Sequence, residues 1–162
     1  MKAWIVSAFF FAAALSPLIA EEKGGLLVDV QKISVDRNDK REGHRMSIDR
    51  MMALKIDVRN NSMRELPETT ANYVVLIQRW HTENGSVERV EGSEKLGKLL
   101  SSQGESVTTK EFHIGGHMHG TSDRHVDHIE AWKVTINREG QNVDFVSGSN
   151  FDMFDKRAQL KQ

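Results

Sequence analysis

The sequence predicts an all-β protein, an antiparallel β-sandwich of seven or eight strands, and three observations carry that expectation. Short segments alternate apolar and polar side chains with the period of two that a half-buried strand requires. Turn pairs such as Asn84-Gly85 and Glu139-Gly140 divide these segments at hairpin spacing. No segment keeps a helical period long enough to form a core element, so each one-sided sheet must bury its apolar face against another sheet.

Ahead of the strands, Lys2 precedes an uncharged run over residues 3–15, followed by Ser16-Pro17 and Leu18-Ile19-Ala20 before two glutamates. This is the layout of a secretory signal peptide over residues 1–20, with the small Ala20 at the cleavage point. Residues 3–20 sit at the short limit for spanning a bilayer and contain two serines and a proline, so membrane association is expected only through an uncleaved signal. The expected location is therefore outside the cytoplasm: periplasm, outer surface or secreted. Residues 21–162 are expected to form one β-sandwich domain, with a C-terminal tail or short helix from about residue 150.

Composition removes several function classes. The chain has no cysteine, which excludes disulfides, zinc-thiolate sites and thiol nucleophiles. Its 22 basic and 23 acidic residues are interspersed, a pattern without the one-signed field of a nucleic-acid groove.

In chain order, Leu26, Val28 and Val30 alternate with polar neighbours, and Ile33 and Val35 continue on the opposite parity, implying a strand with a bulge near Lys32. The stretch DRNDKREGHR, residues 36–45, has no apolar side chain and reads as an exposed loop. Met52, Leu54, Ile56 and Val58 oppose Lys55, Asp57 and Arg59, the clearest half-buried strand in the chain. Residues 73–77 are apolar throughout, and Trp80 continues the face of Val74, Leu76 and Gln78, as in a central strand covered on both sides. After the Asn84-Gly85 turn, residues 86–90 are expected to pair back on residues 77–82. EKLGKLLSSQ reads as a short edge strand or a single turn. Residues 107–114 are rich in β-formers, and residues 126–137 place Trp132, Val134 and Ile136 on one parity and Ile129 and Ala131 on the other, which a bulge near Ala131 reconciles. Val143, Phe145 and Val146 close a second hairpin.

The strand ending in Val58-Arg59-Asn60-Asn61-Ser62, Trp80 on the next strand and the hairpin from Trp132 to Phe145 together resemble exported bacterial and archaeal immunoglobulin-like domains. The resemblance covers most of residues 26–148. It departs from antibody domains in lacking the inter-sheet cysteine pair and in placing its only tyrosine, Tyr73, too early for a tyrosine corner. Envelope and pilus-associated proteins of this kind are similar in size and signal, and the resemblance implies assembly or adhesion rather than catalysis.

Five of the seven histidines, His113, His117, His119, His125 and His128, fall within the insert HIGGHMHGTSDRHVDH, residues 113–128. On an extended segment His117 and His119 share a face, and His125, Asp123 or Asp127 completes a ligand set suited to zinc, nickel or copper. Gly115 and Gly116 permit unusual backbone turns there. HMHGTSD is similar to the first cupin motif, but the leading glycine and the downstream Pro-x-Gly and histidine are missing. No zinc-protease helix, nucleophile elbow or phosphate-cradling loop occurs, so no catalytic residues and no cofactor are expected.

At the C-terminus, Phe151, Phe154 and Ala158 are spaced for a helix, with Asn150 as N-cap and Lys156-Arg157 near its end. The segment either docks on the sandwich or offers Phe151, Met153 and Phe154 to a partner. The expected function is a non-enzymatic exported envelope protein, pilus-associated or adhesive. It would act by contact with an envelope or surface protein, self-association included. The alternative is a periplasmic zinc or copper protein using His117, His119, His125 and Asp123.

Overall fold

A computed structural model describes residues 20–80, 85–119, 123–138, 140–147 and 150–160. The expected signal up to residue 19 lies outside them, as do Asn84 and Glu139 of the two turns.

Strand β4 (Arg45–Asn60) is the axis of the first sheet. Its Leu54, Ile56 and Val58 are fully buried, as their alternation requires, while Lys55 and Asp57 on the other face pair with each other at the surface. On one side β4 meets β2 (Leu26–Arg37), which is flanked in turn by β1 (Ala20–Lys23), and the short β3 (Lys40–Glu42). On its other side lie β7 (Gly104–Thr108) and β8 (Phe112–His119), and β9 (Asp123–Val126) completes that edge.

The partner of β4 on this side is a single run broken between β7 and β8, and Thr109 bridges the break. Its backbone N–H donates to Leu54 O at 2.9 Å, and its hydroxyl accepts from Leu54 N–H at 2.9 Å. The second sheet has the order β11-β10-β5-β6, made of β5 (Leu66–Arg79), β6 (Ser86–Leu99), β10 (His128–Arg138) and β11 (Gln141–Val146).

Both sheets are antiparallel, and their inner faces meet in one core. It joins Leu26, Leu54, Ile56 and Phe112 of the first sheet to Tyr73, Val75, Trp132 and Phe145 of the second. The protein is thus all-β, as expected, although the described residues form eleven strands rather than seven or eight. The additional strands are short. The charged stretch of residues 36–45 is exposed but not a loop, because β3 folds back on the start of β4 and satisfies its backbone there. EKLGKLLSSQ continues β6 as far as Leu99, with Gly97 at positive φ.

Register irregularities follow the parity changes. A bulge falls between Ile129 and Ala131, where the sequence demands one. In β2 it falls between Ser34 and Asp36 rather than near Lys32. Among the described residues β1 pairs with residues 26–29 of β2, and beyond them Lys32 reaches across to donate to Ile129 O at 3.4 Å. Burial lowers the Lys32 pKa, and the Glu130 carboxylate opposes that shift.

Helix α1 (Phe151–Gln159) lies on the outer face of the second sheet, where Phe151 and Ala158 pack with Leu76, Val87 and Ala131. Asn150 makes no side-chain cap bond. The helix ends its cover short of Trp80, which is 42% exposed at the end of β5 instead of being a core residue.

The buried polar side chains tie turns and sheets together. Asn60 donates to the carbonyls of Arg64, Leu99 and Leu100, and its own carbonyl oxygen accepts from Ser62. Thus the Asn60-Asn61-Ser62 signature is a buried knot joining two turns. Tyr73 accepts from Lys110 N–H at 2.8 Å, and its ring lies over Gly92, where an added Cβ would come within 2.5 Å of Cζ.

Candidate functional site

Beyond the core, the start of β4 continues outward with β3, β8 and β9 as a four-strand arm carrying the histidine insert. Alternation sorts its faces. Ile48 and Ile114 point inward and are buried, so Arg45, Ser47 and Asp49 on β4 and His113, His117 and His119 on β8 point outward. The register then sets two rows across the strands. One is Lys40, Ser47, His117 and His125; the next is Glu42, Arg45, His119 and Asp123.

Gly116 makes this sheet possible. It adopts φ +149°, and a Cβ there would meet the His125 carbonyl oxygen and come within 2.6 Å of Val126 Cα. The approach of β9 to β8 therefore needs a glycine at this position. As a result His117 and His125 sit side by side, their ring centroids 5.3 Å apart and their planes tilted by 33°. The sequence places His117 and His119 on one face, and the strand does so; their pairing with His125 depends on the hairpin register. The Asp123 side chain lies outside the described residues. Among the described residues no three imidazole or carboxylate groups converge as a metal site.

Asp127 is not available to such a site, because it is 2% exposed and held by the scaffold. Its carboxylate accepts from Arg79 at 2.8 Å, from Trp80 N–H at 3.0 Å and from Gly115 N–H at 3.2 Å. Arg79 also donates to His113 O at 2.6 Å and to Glu88 at 2.8 Å. Burial works against the Arg79 charge, but the hydrogen bonds to Glu88 and then Asp127 outweigh it and raise the guanidinium pKa. This pair locks the two sheets together where the chain crosses from β9 to β10. Sequence reasoning missed it, since the partners are 48 positions apart and Asp127 reads there only as a candidate ligand of the histidine insert.

Two other histidines are occupied locally. His113 is exposed and lies 2.8 Å from Asp49. His128 accepts at Nδ1 from the Trp80 indole N–H at 2.9 Å, which leaves the proton of the neutral ring on Nε2, 2.5 Å from Glu130. Of the C-terminal residues, Phe151 is buried on the sheet, Phe154 packs beside it, and Met153 alone of the three is exposed, at 50%.

A shallow concavity of about 400 Å³ opens on the arm, lined by Lys40, Glu42, Arg45, Ser47, Gly116 and His117. Ser47 is the small residue between Lys40 and His117 in their row, which creates the dip. Neither Lys40 nor Arg45 makes an ion pair or side-chain hydrogen bond among the described residues. Just behind this face, Asp39 anchors the β2–β3 connection to β4. Arg50 Nε lies 3.0 Å away and Arg37 Nε 2.7 Å away, and the hydrogen bond from Arg50 is the largest cause of a carboxyl pKa held down to about 2.

No protein-family model matches this chain, and no curated protein does. Solved structures similar to it include the X-ray structure of the Northeast Structural Genomics Consortium target SoR45. That chain is 14% identical with a TM-score of 0.42, over 76% of this chain and 83% of that one. A crystal structure from Akkermansia muciniphila is 8% identical with a TM-score of 0.35, over 86% of this chain and 78% of that one. At this level of similarity nothing about the site follows from either.

Proposed function

We propose that this is a non-enzymatic exported protein of the cell envelope, an immunoglobulin-like β-sandwich that acts through surface contact, adhesive or pilus-associated. The strand order supports the immunoglobulin-like reading. Strands β2, β4 and the β7/β8 run occupy one sheet and β5, β10 and β11 the other, with β6 beside β5, as an added strand sits in variable-type domains.

One observation carries the contact reading. Asn60, Thr69, Arg79, Thr109 and Asp127, the polar side chains buried as whole residues, all have partners in the framework. A partner would therefore meet chemistry on the outer surface, where the arm carries Arg45, Ser47, His117, His119 and His125.

Two measurements test this. Mass spectrometry of the exported protein should find a chain starting at Glu21, and an intact Met1 on a membrane-bound form would refute the export route. A photo-crosslinking residue at His119 should trap a discrete envelope adduct, whereas the same residue at Lys156 on α1 should not; equal yields would remove the arm from the proposal.

A second reading, a periplasmic zinc or copper protein, draws on the approach of His117 to His125. It requires a submicromolar one-to-one isotherm, lost in the His117→Ala/His119→Ala double variant and weakened as pH falls, since imidazole binds metal only when neutral.

A further inference from the structure

We infer that the concavity on the arm is a binding site for an anionic glycan, a sugar unit bearing a sulfate, phosphate or carboxylate group. The inference rests on the contact reading and names the chemistry of the partner.

Three basic groups, Lys40, Arg45 and the His117 imidazole, surround the Ser47 hydroxyl at this dip. The cross-strand register brings them there from three different strands, about 4.8 Å apart at each step, so the basic groups span the dip. With Lys40 and Arg45 unpaired among the described residues, their mutual repulsion is relieved when an oxyanion enters, and the serine hydroxyl and guanidinium donate to it. The volume of about 400 Å³ exceeds a lone oxyanion and admits the ring that carries one. The dip lies on an outer sheet face, so a polymer can continue past the bound unit.

The groups facing His117 are Lys40 and Glu42 on β3, Arg45 and Asp49 on β4, His119 on β8 and His125 on β9. Glu42 is the single carboxylate among the residues lining the dip, and Asp49 is bonded to His113.

Fluorescent dextran sulfate, uncharged dextran and inorganic sulfate are the probes, titrated into the protein near neutral pH. Dextran sulfate should bind, and its binding should weaken with added salt. Lys40→Ala/Arg45→Ala, or Lys40→Gln/Arg45→Gln if the first melts early, should weaken it about tenfold or more. Arg59→Ala/Arg64→Ala, at the far end of β4 and just beyond it, should leave binding unchanged.

Equal binding by uncharged dextran, or full retention in both Lys40/Arg45 variants, overturns the inference. Inorganic sulfate competing as strongly per charge as the polymer also overturns it, because the site then recognises a bare oxyanion. A His119 crosslink to an envelope protein without dextran sulfate binding would sink the glycan while leaving the contact reading intact.

Discussion

The two halves of β4 share one backbone and one alternation, yet they serve different ends. From residue 52 to residue 60 the inward side chains are buried against the second sheet, and Asn60 ties off the end. From residue 45 to residue 50 the pairing continues through β3 and β8, but the outward face carries Arg45, Ser47 and the neighbouring histidines. The core half supplies stability, and the arm inherits order from it through continuous hydrogen bonding while contributing little apolar burial of its own. A surface built this way can vary in chemistry without endangering the fold.

Substitutions can break or sharpen that contrast. The largest effect is expected at the junction. Asp127→Ala leaves Arg79 short of a buried partner and should cost about 3–5 kcal/mol in denaturant melts. A loss below about 1 kcal/mol would mean the pair does not lock the sheets.

Within the core half, Leu54→Ala and Ile56→Ala should each cost about 2–5 kcal/mol by the same measurement.

At the base of the arm, the Asp39 carboxyl has its pKa lowered from 3.8 to about 2. Because the folded value is the lower one, the stabilisation is complete above the unfolded pKa and is lost as pH falls from about 4 towards 2. Asp39→Asn should flatten the melting midpoint over that window, and an unchanged acid limb would remove Asp39 as its source.

The smallest effects belong to the outward faces. Lys55→Ala, His117→Ala and His119→Ala should each lie within about 0.5 kcal/mol of wild type. If a histidine substitution matches the core series, the arm is part of the core after all.

The same contrast explains what could be read from the sequence. Alternation is a local signal, so the inward set Leu54, Ile56 and Val58 was legible, as was the bulge required by the parity change at Ala131. The spacing of Phe151 and Ala158 likewise anticipates a helix docked on the sheet. Strand β3 was not legible because its side chains are all exposed, and the four residues of β9, with Val126 their single apolar side chain, are too few to show a period. The Arg79–Asp127 pair and the Asn60 knot are non-local, and residue type alone does not reveal a partner across the sandwich. Trp80 misled for a related reason: its parity matches Leu76, but the helix covering that face does not reach it. At the site, the shared face of His117 and His119 follows from strand geometry. The opposition of His117 to His125 and the dip over Ser47 needed the register.

The edge of β2 has a consequence for life at high concentration. Among the described residues this edge has no partner strand past residue 29, and the stretch carries Val30, Ile33 and Val35, a sequence that could template the edge of another molecule. The bulge between Ser34 and Asp36 twists that edge out of plane, and Lys32 is turned toward the gap between the sheets, where an incoming strand would have to desolvate it further. Both features oppose edge-to-edge pairing along this stretch, in a chain with no disulfide to hold the sandwich closed.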